Sequence, residues 1–354
     1  MSIDSSSTVG ASGEPESAKR IYADLKKTIK NEGLMDRQHA YYVGKFAMTF
    51  GFLAVGVSLL FILESPWLHM LNAVYMAFVF GQVSLLAHDS GHRQLQLRSG
   101  KFNDWLTLVL GNLMLGMSRE WWIGKHNEHH GHPNQTDIDP DIEIPLLAFE
   151  EEQAFDKRGL ARLVTKYQAF LIIPLSFLQS ISMLRSSVSF IFSKRAKRPF
   201  AEGLAIVTHF TTYFGLLFYL LEPLTAILFV IVHRGLWGVY LVSVFAPNHK
   251  AMPILAKDSE VGFIHRQVLT SRNVLSHPAT DFLYGGLNYQ IEHHLFPGMP
   301  RNKLKDAQPI IKSFCEKHSI GYHETSVLES YREILSHLHA VGTPLREANK
   351  STIN

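Results

Sequence analysis

Cysteine is almost missing: the 354 residues contain one, Cys315. An internal disulfide and a cysteine-based metal site are excluded, and Cys315 reads as a buried or incidental thiol. No Gly-x-Gly-x-x-Gly nucleotide fingerprint occurs. A large charge excess is missing too. Lys and Arg number 34 and Asp and Glu 31, a net charge of +3. That balance fits membrane topology and lipid headgroup contact, and it argues against nucleic-acid binding. The first residues, MSIDSSSTVGASGEPES, have no basic segment followed by an apolar core. No signal peptide is evident, and they read as a flexible polar tail.

What the chain does have is long apolar runs. After Lys45 comes FAMTFGFLAVGVSLLFILE, then PWLHMLNAVYMAFVFGQVSLLA up to His88. Later come GLAIVTHFTTYFGLLFYLL from Gly203 and PLTAILFVIVHRGLWGVYLVSVFA from Pro223. Each is about long enough to cross a hydrocarbon core. Only Glu64-Ser-Pro and Glu222-Pro separate the members of each pair. The expected fold is an all-α integral membrane protein: four transmembrane helices in two hairpins, with a cytosolic helical cap. The expected layout is a polar tail and amphipathic surface segment (1–40), the first hairpin (41–87), a first cap segment (88–202), the second hairpin (203–246) and a second cap segment (247–354). The two turns contain no Lys or Arg. Lys19, Arg20, Lys26, Lys27, Lys30, Arg37 and Lys45 precede the first hairpin, and Lys194, Arg195, Lys197 and Arg198 precede the second. Both termini and the middle segment are therefore expected on the cytosolic side. Residues 105–117 are apolar but short for a span and are expected to be re-entrant or interfacial; residues 167–183 are of borderline length and are expected to be interfacial.

Three histidine clusters lie outside the apolar runs, all on that same side: His88-Asp-Ser-Gly-His92, His126-Asn-Glu-His129-His130 and Gln290-Ile-Glu-His293-His294. Helical residues three or four apart share a face, so each cluster aims its imidazoles one way. Imidazole suits zinc, copper, iron and nickel, and a zinc site takes about four ligands. Seven histidines are too many for one ion and reasonable for two. Such a centre beside a bilayer suggests oxygen activation on a lipid. A non-enzymatic metal transporter would instead want polar ligands along a path within the spans.

HDSGH, HNEHH and GGLNYQIEHHLFP resemble the three histidine boxes of the membrane fatty acid desaturases, and the Gln at the head of the third box resembles the front-end branch. KHNEHHGHPNQTDIDPDI and QVLTSRNV are similar to bacterial acyl-CoA or acyl-lipid desaturases. The resemblance implies a non-haem enzyme with two iron ions that uses dioxygen and two electrons to place a cis double bond in an acyl chain. It implies His88, His92, His126, His129, His130, His293 and His294 as ligands. It adds His249 as a further one, with Asn248 and Gln290 as weak or water-mediated ligands or as partners that bind a ligand and not the metal. Asp89 and Asp281 are expected to hold ligand imidazoles. Glu128, Asp137, Asp141 and Glu292 also lie beside the boxes. His132 and His277 precede prolines and are not expected to bind.

The resemblance further implies acyl-CoA in preference to acyl-lipid substrate, in a bacterial cytoplasmic membrane. No HPGG motif of a fused cytochrome b5 domain occurs. The implied electron donor is separate: ferredoxin, flavodoxin, cytochrome b5 or a flavin reductase. A hydroxylase or sphingolipid desaturase using the same centre is the alternative. His209, His233 and Arg234, within the spans, are expected to line the acyl tunnel, reach the headgroup or make structural bonds between helices. Trp121 and Trp122 are expected as interfacial anchors or as part of the substrate groove.

Overall fold

The computed structural model describes residues 16–95 and 100–348; residues 1–15, most of the expected polar tail, lie outside the described residues. Among the described residues the regular structure is helical apart from a two-residue parallel pairing of Asn273–Val274 with Glu324–Thr325 and a lone bridge between Gln135 and Leu255. In chain order the helices are α1 (Glu16–Asn31), α2 (His39–Ile62), α3 (Pro66–Gly91), α4 (Gly100–Leu108), a π-helix (Val109–Leu115), α5 (Arg119–Gly131), α6 (Glu151–Asp156), α7 (Gly159–Lys166), α8 (Gln168–Ser176), α9 (Gln179–Ile191), α10 (Pro199–Leu220), α11 (Pro223–His249), α12 (Phe263–Leu269), α13 (Pro278–Leu283), α14 (Gln290–Leu295), α15 (Arg301–Lys317) and α16 (Val327–Ala348).

Four helices are long and apolar enough to cross a membrane: α2, α3, α10 and α11. Proline at the first turn of α3, α10 and α11 removes only an N–H that has no helical partner there. α3 and α11 form the inner pair and pack on each other along their length. Their shared core includes Phe80, Val83, Phe229, Trp237 and Leu241. α2 and α10 are outer helices, with Val43, Phe61, Ile62, Phe218 and Tyr219 exposed. An exposed apolar surface on this scale suits lipid better than water.

Two elements differ from the expected boundaries. Residues 167–183, expected as one interfacial segment, are not one straight helix. They divide between α8 and the start of α9, which meet at 69°. Pro174 lies in α8, and Ser176 follows two residues later. The second difference is the end of α11, which runs past Ala246 to His249 even though Pro247 interrupts it. Proline cannot donate to the carbonyl four residues back. Tyr331 Oη fills that gap, donating to Ser243 O at 2.8 Å. Arg272 then fixes the last turn, with Nε on Pro247 O at 2.7 Å and its backbone N–H on Asn248 O at 2.8 Å. Asn248 and His249 are thereby carried at the end of a rigid inner helix.

α1 is amphipathic, as expected for residues 18–40, but its apolar face is not on the surface. Leu25 and Ile29 pack with Tyr289, Leu295, Phe296 and Leu304, and Tyr22 Oη donates to Leu295 O at 2.8 Å. It braces the segment that carries the third histidine cluster.

Candidate metal centre

Four elements bring the histidines together. The end of α3 and the residue after it supply His88 and His92, and α5 supplies His126, His129 and His130. α11 supplies His249, and α14 supplies His293 and His294. They form two adjoining groups. Ring nitrogens of His88, His92, His126, His130 and His293 lie within 4.8 Å of one another, and so do those of His129, His249 and His294. His130 and His294 stack across the boundary, with ring centroids 4.2 Å apart.

The hydrogen bonds fix which nitrogen is free. His129 Nδ1 donates to Asp139 Oδ2 at 2.9 Å, His249 Nδ1 to Thr270 O at 2.9 Å, and His294 Nδ1 to Gln267 Oε1 at 2.8 Å. With the proton on Nδ1, each neutral ring has a bare lone pair at Nε2. Yet His129 Nε2 and His249 Nε2 face each other at 3.2 Å. Two lone pairs repel unless a cation lies between them. In the larger group, His92 Nε2 and His130 Nε2 approach His126 Nε2 at 2.7 and 3.1 Å. His88 Nδ1, His130 Nδ1, His294 Nε2 and both nitrogens of His293 have no hydrogen-bond partner among the described residues. Each unmet buried polar group costs about 1–3 kcal/mol, so such a concentration fits a bound cation. Burial pushes His92, His126, His130, His293 and His294 well below the ordinary histidine range. They are neutral near pH 7, the state a metal requires.

The sequence-level candidates fall into place unevenly. Gln290 stands against the smaller group, with its Nε2 2.9 Å from His249 Nε2. Asn248 Nδ2 donates to Gln290 Oε1 at 3.0 Å. Asp89 Oδ1 lies 3.6 Å from His88 Nδ1, and its other oxygen takes a close ion pair from Arg301. Asp281 is elsewhere: it accepts from Asn288 Nδ2 at 2.8 Å and Tyr289 Oη at 3.1 Å. Its expected support of a ligand imidazole is not met, because α13 points its carboxylate at the loop before α14. His132 and His277 belong to neither histidine group. His277 Nδ1 accepts from Ala279 N at 3.2 Å, starting α13.

Sequence reading missed Asp139. It is fully buried and accepts from His129 Nδ1, Asn134 N and Asp141 N. Burial alone would raise its carboxyl, but the His129 imidazole and Lys250 ammonium beside it hold it below the ordinary carboxylate range. Asp139 and Asp141 also approach His129 as a possible ligand set. Lys125 is ion-paired to Asp141, however, and Lys250 Nζ donates to Asp141 O at 2.8 Å. That side is already neutralised, which leaves the carboxylates as supports. Asp139→Asn is expected to lower metal affinity about 10–100-fold, read by metal content after dialysis against a graded chelator. Glu292 plays a different part. Burial pushes its carboxyl up to about 7. It accepts from Asn273 Nδ2 at 2.6 Å and Tyr322 Oη at 2.8 Å, pinning α14 from behind.

Trp122 is not an exposed anchor. It stacks on His126 with centroids 4.5 Å apart. A Cβ at Gly91 would meet its ring at 2.4 Å, so only glycine fits between the two histidines of the first cluster. A cavity opens beside His88 and Trp122, walled by Ala87, Gly111, Met117, Met183, Leu241 and Phe245. His209, His233 and Arg234 do not line it. His233 Nδ1 pairs with Tyr213 Oη at 2.7 Å, a bond between α10 and α11.

Helices of membrane-spanning length beside histidine groups able to hold metal mark a multi-pass membrane protein. The family described as fatty acid desaturase matches residues 65–326, and the chain belongs to that family of oxidoreductases. It is 30% identical over 334 residues to the Delta(6)-fatty-acid desaturase fat-3 of Caenorhabditis elegans, covering 90% of this chain and 74% of that protein. It is 28% identical to the Acyl-lipid (9-3)-desaturase of Physcomitrium patens, covering 94% and 64%. It is also 28% identical to the Delta(5) fatty acid desaturase fat-4 of Caenorhabditis elegans, covering 86% and 69%. The chain thus spans roughly two thirds to three quarters of these relatives' own lengths.

Proposed function

We propose that this chain introduces a cis double bond into a fatty acyl chain at a centre of two iron ions, with dioxygen as oxidant. The observation that carries the reading is the pair of adjoining histidine groups whose Nε2 lone pairs converge beside an apolar cavity. Five histidines, His88, His92, His126, His130 and His293, would hold one iron. His129, His249 and His294 would hold the other, with Gln290 beside them. All-nitrogen ligation by imidazole suits iron. Turning both amides over would present Gln290 Oε1 to the ion and let its Nε2–H donate to Asn248 Oδ1, a buried atom otherwise without a partner among the described residues. The bound ions would supply the oxidising power that unactivated C–H bonds demand.

The chain's own residues do the rest. α3 and α11 form a rigid floor, and Leu241, Phe245 and Met183 offer an apolar wall to methylenes. Trp122, packed against Gly91 and His126, walls the cavity beside His88. Holding the reacting carbons near the centre removes the translational freedom a bimolecular encounter would retain. α2–α3 and α10–α11 would cross the membrane as two hairpins, with the metal centre in a cap on the cytosolic face. Acyl-CoA is the favoured substrate. Electrons would reach the centre from ferredoxin, flavodoxin, cytochrome b5 or a flavin reductase, lying outside the residues described.

The test is fatty acid profiling by gas chromatography–mass spectrometry in a host expressing the chain with a reductase and fed defined acyl chains. A new double bond is expected. A hydroxylated product would replace this reading with the hydroxylase one. An unchanged profile, with iron bound and the reductase active, would refute it.

A further inference from the structure

α10 and α11 carry polar side chains that the metal centre does not use, and they converge on one stretch of backbone. Residues 109–115 form a π-helix that ends at Gly116, whose φ is +72°. A π-helix followed by a left-handed residue breaks the normal i to i+4 ladder. Carbonyls at its end need partners from elsewhere, because Leu115 and the residues just after it are buried from solvent. The second apolar pair supplies them. His209 Nδ1 donates to Leu113 O at 3.0 Å. Arg234 Nη1 donates to Leu115 O at 3.3 Å. Glu202 accepts from Ser118 Oγ and, at 3.0 Å, from Glu120 N.

Arg234 is the telling member. It lies about 16 Å along α11 from Pro223 at the helical rise, where a cation in a span is costly. No carboxylate pairs with it among the described residues. Instead it is buried over the faces of Phe210 and Trp237, 5.5 and 4.7 Å from their centroids. Its polar contact is the carbonyl one residue before Gly116. Met117 and Ser118, just beyond, wall the cavity beside His88, and the chain then enters α5 with three of the histidines.

We infer that His209 and Arg234 are positioning residues for acyl register. By holding the 113–116 backbone they fix the height of the Met117–Ser118 wall relative to the metal centre, and so decide which carbon pair the cavity presents. This rests on the acyl-chain reading of the cavity. A merely structural anchor would change stability or rate, but not which carbons react.

The experiment uses the full chain in membranes with its reductase, fed saturated and unsaturated acyl chains of graded length. Wild type is compared with Arg234→Met and His209→Leu, which lose the donor, and with Arg234→Lys and His209→Gln, which keep one. Products are derivatised to place the double bond, and iron per chain is measured alongside. The donor-lacking variants are expected to keep iron and to alter product position or chain-length discrimination by about tenfold, the scale of one mismatched methylene. The donor-keeping variants should stay close to wild type. Wild-type positions and length profile in both donor-lacking variants would overturn the inference, however far the rate falls.

Gly116→Ala guards against variants that fail to accumulate. Its Cβ would meet His209 Cδ2 at 2.6 Å, pressing on the same wall while leaving both donors in the sequence. It should shift the profile too, and an unchanged profile counts against the proposal. Wild type giving no product would refute the acyl reading itself. Hydrogen exchange in lipid nanodiscs tests the latch even then. Amides of 113–120 should exchange faster in Arg234→Met, and unchanged rates would overturn the latch.

Discussion

His129→Ala is expected to abolish double-bond formation while the protein still inserts and purifies as a folded chain. His129 joins two functions in one ring: Nε2 faces His249 Nε2 at 3.2 Å, and Nδ1 rests on the buried Asp139. Removing it takes one nitrogen from the smaller group, which has only three histidines. The loss should exceed the about 10–100-fold typical of a ligand's outer partner such as Asp139. The fold should survive, because α5 is not one of the four long apolar helices. Asp139 would also keep its bonds from Asn134 N at 2.7 Å and Asp141 N at 2.9 Å. The check is product formation alongside metal content and extraction behaviour. Turnover retained in His129→Ala would mean that the histidine groups are not the reactive centre.

Arg301→Leu should produce the largest loss of stability. Arg301 and Asp89 are an ion pair with side chains only 5% and 3% exposed. The pair ties α15 to the end of α3, directly beside His88. Tyr42 Oη joins the same junction, accepting from Arg301 N at 3.3 Å and donating to Gln94 Oε1 at 3.1 Å. Removing one partner of a buried pair strands the other charge and costs about 3–5 kcal/mol. Replacing both by apolar residues, as in Asp89→Leu with Arg301→Leu, should recover much of that, because no charge is then stranded. Denaturation in mixed detergent micelles would measure it. If Arg301→Leu resists denaturation as well as wild type, the pair is not what fastens the cap to the inner helices.

The seven box histidines were legible in sequence because their signal is local. HxxxH and HxxHH encode a shared helical face without reference to anything distant. The long apolar runs were legible for a similar reason, since span length is a property of composition alone. Asp139, Gln267 and Arg301 were not legible. Each reaches its histidine or carboxylate through tertiary contact, across 10, 27 and 212 residues. Asp281 shows the same limit from the other side. It sits a few residues before the third cluster, yet its carboxylate binds Asn288 and Tyr289. The end of α11 was hidden by Pro247, whose missing hydrogen bond is replaced by Tyr331, 88 residues beyond the Ser243 carbonyl it caps. The π-helix left no periodicity to read. Its stabilising partners, His209 and Arg234, looked in sequence like candidates for the tunnel itself.

The most direct test of the central claim is the metal content of the purified full chain, with iron distinguished from zinc and copper and its environment read by Mössbauer spectroscopy. The account predicts two irons per chain in nitrogen-rich sites, with one lost preferentially in His129→Ala. A single ion per chain, or full turnover with zinc in place of iron, would contradict it.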